Sequence, residues 1–131
     1  MRTIRTLAVA LVVGVALSNV TLAQKADIGR TELARGDLGD AVREVIQVRV
    51  DFAPGAAFPR HAHPGVEVAS VLEGVLEYQL GESPPVTLKA GESLFIPAGT
   101  VHSARNAGSG HASELATYVV VKGKPLVVPA Q

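Results

Sequence analysis

Three of the chain's four histidines fall in two short blocks, His61 and His63 in the first and His102 in the second, and Glu67 lies four residues past His63. In an extended segment residues i and i+2 share a face, so His61 and His63 point the same way, with Cβ atoms roughly 7 Å apart. Ring nitrogens bind a metal at about 2.1 Å, and two imidazoles carried on that rise can close on one ion. Pro64-Gly65 bends or interrupts the strand, after which Glu67 can re-enter on the same side. His102, from a separate strand, would complete a set of three neutral nitrogens and one ionised oxygen. Such a set suits one divalent transition ion (iron, manganese, nickel, copper or zinc) better than calcium or magnesium. A lone H-x-H pair would be weak evidence, since a single histidine is more often a surface group or a hydrogen-bonded core residue. Here the neighbouring residues strengthen the case.

Glycines and a proline fall at fixed intervals around these positions. Gly55, five residues, His61-x-His63, three residues, Glu67, six residues and Gly74 make the first block. Gly91, five residues, Pro97-x-Gly99, two residues, His102, three residues and Asn106 make the second, sixteen residues further on. The blocks resemble the two motifs of the cupin superfamily with no position departing from the pattern, and the short interval is similar to that of small single-domain bacterial cupins. The resemblance covers the chain after about its first two dozen residues. It implies an all-β, double-sheet jelly-roll barrel holding one metal through His61, His63, Glu67 and His102. It does not imply a particular reaction, because cupins include dioxygenases, oxalate-degrading enzymes, sugar-phosphate isomerases, regulatory domains and storage proteins.

The elements that must position these groups are short strands. At 131 residues the chain is expected to form one domain. Glu44 to Phe52 gives the clearest alternation, with Ile46, Val48, Val50 and Phe52 on one face and Gln47, Arg49 and Asp51 on the other. Thr31–Arg35 reads as a first strand and residues 36–40 as a loop. The runs 68–73 and 75–80 about Gly74 read as a hairpin, 86–89 and 94–96 as short strands, and 114–121 as the last barrel strand. If His102 faces inward, so do Ala104 and Asn106, and Asn106 is expected to anchor the strand end rather than touch a substrate. His111 is expected at the surface. The tail is expected to pack along an edge or across a partner subunit.

Residues 1–23 read as a cleavable signal peptide: Arg2 and Arg5 precede an uncharged stretch rich in Leu, Val and Ala, ending in Thr21-Leu22-Ala23. An uncleaved anchor is the alternative. Cleavage would leave residues 24–131 as a single domain exported to the periplasm or secreted, without stable membrane insertion. It would carry ten basic against twelve acidic residues, a formal charge of −2. No cysteine is present, so no disulfide supports it. Without a basic patch interleaved with aromatics, nucleic acid is not an expected partner. A small molecule is, and a homodimer is expected because exposed strand edges need covering.

Two functional readings stand side by side, ahead of a third, a structural barrel with a vestigial site, which the intact ligand set speaks against. One is a metal-dependent enzyme of dioxygenase type acting on a small organic molecule, with Arg60, Glu77 and Tyr78 as candidates for a further acid, base or clamp. Alternation sets Arg60 opposite His61, which favours a solvated rim charge. The other is a non-catalytic module of the cell envelope that binds a small ligand or senses the metal itself.

Overall fold

The structure, a computed structural model, describes residues 27–131, and the expected signal peptide lies outside the described residues. The alternating sequence becomes ten strands: β1 (Ile28–Asp37), β2 (Arg43–Phe52), β3 (Ala57–Ala62), β4 (Gly65–Glu73), β5 (Val75–Leu80), β6 (Val86–Lys89), β7 (Ser93–Ile96), β8 (His102–Asn106), β9 (Ala112–Val121) and β10 (Val128–Pro129). They form two five-stranded antiparallel sheets, ordered β1-β2-β9-β4-β7 and β10-β3-β8-β5-β6, which face each other as a jelly roll. No helix occurs among the described residues.

Strand β2 shows how period-two patterning builds the interior. Ile46, Val48, Val50 and Phe52 are all buried, while on the opposite face Gln47 donates to Thr117 and Arg49 donates to Asp51 and Ser113. Strand β9 lies between β2 and β4 and turns Ala112, Glu114, Ala116, Tyr118 and Val120 inward. Full burial of a residue such as Ile46 or Phe52 stabilises by roughly 1.5–3 kcal/mol. Among the described residues that apolar interior stands in place of any disulfide.

Two expectations are corrected. Strand β1 begins at Ile28 and runs to Asp37, taking in the start of the expected 36–40 loop, because it pairs with β2 from Ile28 opposite Phe52 to Asp37 opposite Glu44. The hairpin about Gly74 does not form: β4 pairs with β7 and β9, whereas β5 pairs with β6 and β8. Gly74, at φ 73°, is the corner at which the chain leaves one sheet for the other. A Cβ there would stand 2.6 Å from the carbonyl oxygen of His111, so glycine is required by a close backbone approach as well as by its dihedral. The tail does pack along an edge. Val128 pairs with Ala62 and Pro129 with His61, the proline sitting on an outermost strand where a missing N–H is tolerated.

Gly55 has a similar φ of 75° but open space around the missing Cβ. Gly55→Ala should therefore cost only the left-handed backbone penalty of about 1–2 kcal/mol. Gly74→Ala should cost at least about twice that, because the His111–Ala112 backbone must also move. Urea denaturation of the two variants checks the difference, and equal losses would refute the role of the corner.

Candidate metal centre

His61 ends the inward face of β3 and lies directly opposite His102, the first residue of β8. His63 follows just past the end of β3, in the link that carries the chain into the other sheet. Glu67 reaches the same place from β4. All four are buried, between 3 and 6 % exposed. The imidazole centroids are 4.3 Å (His61–His102), 4.8 Å (His61–His63) and 5.0 Å (His63–His102) apart. One ring nitrogen from each histidine falls within 4.8 Å of the others.

The backbone fixes how the rings are turned. Nδ1 of His61 donates to the carbonyl of Pro59 at 2.7 Å, that of His63 to Leu126 at 2.6 Å and that of His102 to Thr100 at 2.9 Å. A carbonyl oxygen only accepts, so the proton sits on Nδ1 and each Nε2 is left as a lone-pair donor. The Nε2 atoms of His63 and His102 lie 2.9 and 3.2 Å from Glu67 Oε2. Yet His63 Nε2 and Glu67 Oε2, both buried, have no aligned hydrogen-bond partner despite that proximity. Lone pairs facing a carboxylate repel unless a proton or a metal cation lies among them. Two ligand atoms each about 2.1 Å from one ion and at right angles would be about 3 Å apart, which matches these separations. The donor set fits one borderline divalent ion.

Burial lowers the His61 pKa to about 4, against the opposing pull of the Pro59 carbonyl, and so keeps the ring neutral at pH 7. For Glu67 burial works upward, but the adjoining His102 and His63 rings outweigh it and hold the carboxyl at about 2, ionised. His102 is shifted upward: burial opposes the shift, and Glu67 with the Thr100 carbonyl overcomes it. His61 is therefore neutral and Glu67 ionised at pH 7, and a metal would compete with protons for the set in acid.

His61, Glu67 and His102 line one side of a narrow cleft that is partly open to solvent. Arg30, Val50, Phe52, Phe58, Tyr78, Ala104, Glu114 and Tyr118 make the rest of it. Of the further candidates, Tyr78 faces inward and donates to Glu114 across the gap between the sheets. Glu77 faces outward and pairs with Arg105 at 2.7 Å. Arg60 is a rim charge paired with Glu82 at 3.2 Å. Asn106 is fully engaged as an anchor: its Nδ2 donates to the carbonyls of Phe52, Ala53 and Gly110, and its Oδ1 accepts from Gly108. His111 is at the surface between Asp51 and Glu73.

Sequence reasoning passed over Glu114, Tyr118 and Arg30. The first two share the inward face of β9 with Ala116, so the alternation already contained them. Arg30 lies ahead of the expected start of the first strand, and only its register opposite the buried Val50 sets it on the inward face. Burial pushes Glu114 up to about 7, reinforced by the charge of Glu67 and opposed by the Tyr78 hydrogen bond and Arg30. Burial likewise raises Tyr78 and Tyr118 above the usual phenol range.

Residues 48–121 match the Cupin domain family. Among curated proteins the chain is 39 % identical over 79 residues to germin-like protein 1-1 of Oryza sativa subsp. japonica, an alignment covering 56 % of this chain and 37 % of the relative. It is 40 % identical over 75 residues to germin-like protein subfamily 2 member 2 of Arabidopsis thaliana, covering 53 % and 34 %. The chain thus spans about a third of the length of these relatives. Among solved structures, an oxalate oxidase in complex with the substrate analogue glycolate superposes with a TM-score of 0.63 and 30 % identity, covering 77 % of this chain and 54 % of that one. A Klebsiella pneumoniae protein with a double-stranded β-helix domain gives 0.65 at 23 % identity over 80 % and 86 %, a likeness of fold.

The folded Glu114 carboxyl, near 7, holds its proton more tightly than an unfolded glutamate near 4.3. Its contribution to stability is therefore present below about pH 4 and lost as pH rises through about 7. Glu114→Gln should make the metal-free protein more stable than wild type at pH 8, by on the order of 2 kcal/mol, with the gap closing near pH 4. Urea denaturation at both values checks this, and a gap independent of pH would refute it. Deleting residues 126–131 removes the carbonyl that holds His63 and should weaken metal affinity roughly 10–100-fold. Competition against a chelator measures that loss.

Proposed function

Because the chain belongs to the Cupin domain family, we propose that it is a metal-dependent enzyme that oxidises a small organic molecule, with His61, His63, Glu67 and His102 as the metal ligands. The observation that carries this is a cluster of three buried imidazoles, two of them against the Glu67 carboxylate, beside a cleft partly open to solvent. Four ligands leave open positions on an ion that prefers six, as a catalytic rather than a structural site requires. The resemblance to oxalate oxidase structures at 30–31 % identity favours an oxidase or oxygenase over other cupin chemistries.

A bound iron, manganese or copper ion would supply the redox and Lewis-acid chemistry. The rest falls to the chain's own groups. Val50, Phe52, Phe58 and Ala104 make the cleft wall apolar and exclude water from part of it. Tyr78 Oη and the Glu114 carboxyl hold a proton between them on the wall, and a carboxyl near 7 can give up or take a proton at neutral pH. Residues 1–23 direct export and are removed, so that the single domain 24–131 acts in the periplasm or outside the cell. The domain pairs as a homodimer, a reading supported by the exposed Val68 and Phe95, cross-strand neighbours on β4 and β7.

The second reading, a module that binds a small ligand or senses metal, shares the same ligands and differs in turnover. Metal content by mass spectrometry, with oxygen consumption against small hydroxy acids, dicarboxylates, diphenols and diketones, separates the two. The enzyme reading expects one ion per chain and oxygen uptake with at least one compound, both lost in His61→Ala. Stoichiometric metal without uptake would favour the binding module. Full metal occupancy in His61→Ala would overturn the ligand assignment.

A further inference from the structure

Six arginines are among the described residues, and five of them form ion pairs: Arg35 with Glu32 and Glu44, Arg43 with Asp40, Arg49 with Asp51, Arg60 with Glu82 and Arg105 with Glu77. Arg30 is the exception. It pairs with no carboxylate among the described residues, and it is the one basic side chain in the wall of the cleft apart from the histidines. Its strand is the outermost of its sheet, and its place opposite Val50 sets it on the cleft side, at the exposed mouth.

Two aromatic rings hold it there. The guanidinium carbon lies 5.4 Å from the centroid of Phe58, in range for a cation–π contact, and Nη2 donates to Tyr118 Oη at 3.5 Å. Both rings continue to the histidines. Phe58 packs edge-on against His61 with centroids 4.6 Å apart, and Tyr118 packs against His63 at 4.6 Å. The guanidinium is thus one aromatic ring away from the proposed metal ligands on each of two paths. Guanidinium carries five N–H donors and no acceptor, and one of them is used.

From this we infer that Arg30 anchors the substrate, which carries a carboxylate that docks on its guanidinium while the other end of the molecule lies at His61, Glu67 and His102. The planar fork suits carboxylate and phosphate alike. The Glu67 carboxylate in the same cleft disfavours the double charge of phosphate, so the assignment is to a small monocarboxylate. The inference rests on the proposed enzyme reading for the word substrate and extends it with a chemical class and a residue. Arg30 lies outside the stretch matched to the family, residues 48–121, so the family pattern does not contain this anchor.

The test is calorimetric titration of the metal-loaded protein with glycolate, with ethylene glycol as the uncharged counterpart and inorganic phosphate as the competing anion. Wild type should bind glycolate about tenfold or more tightly than ethylene glycol, the scale of one charge-assisted contact. Arg30→Met should lose that preference and leave metal content and thermal midpoint unchanged. Arg30→Lys should restore part of it, since an ammonium keeps the charge but not the fork. Equal glycolate affinity in wild type and Arg30→Met, equal affinity of wild type for glycolate and ethylene glycol, or tighter phosphate than glycolate binding would each overturn the assignment. Oxygen uptake keeps the two readings apart. Arg30-dependent glycolate binding with no uptake from any acid leaves the anchor standing and removes the enzyme reading. Uptake with an uncharged compound, unaffected by Arg30→Met, does the reverse.

Discussion

Three clustered imidazoles and a carboxylate against two of them, all buried, are unfavourable neighbours until a proton or a cation joins them. Their burial costs free energy that a surface site would not incur, and the fold around them is arranged to keep them from separating. Each ring is fastened through Nδ1 to a backbone carbonyl, two of these lying two residues before the histidine itself and the third in the distant tail. The ligands come from both sheets. An ion held by them would clasp the barrel across its two sheets, and its binding and folding would stabilise one another.

The same interior carries a second buried carboxyl, and the two are treated differently by their surroundings. Glu67 faces rings that favour its charge; Glu114 faces a tyrosine and the charge of Glu67, and keeps its proton to near neutral pH. Pairs of groups pushed apart in this way mark places where acid and base roles can be divided. Arg30 adds positive charge at the opposite wall, from a strand that contributes little else to the interior. A cleft with a metal set at one wall, a proton-holding pair and an unpaired guanidinium is more specific in its chemistry than the barrel as such.

Glycine-controlled corners let so short a chain build this. Gly74 sends the chain from one sheet to the other where His111 and Ala112 pass close behind it, and Pro64-Gly65 does the same between β3 and β4. Asn106 then ties the end of β8 to the end of β2 and to the loop before β9. The germin-like relatives match this chain over about a third of their own length.

The sequence alone was sufficient for the all-β class, for the inward face of β2, and for the three histidines that cluster in the interior. Those properties depend on period-two alternation and on fixed spacings, both local. It was also enough to place Arg60 at the rim and Asn106 at a strand end. Which strands pair was not legible: runs 68–73 and 75–80 look like a hairpin because only a single glycine separates them, and the backbone that passes behind that glycine lies about forty residues away in sequence. Nor was the Leu126 carbonyl behind His63, the Tyr78–Glu114 bridge, or Arg30 opposite Val50. Each joins residues at least about twenty positions apart, and no local pattern encodes such a contact. Only the closing of two sheets over one interior decides it.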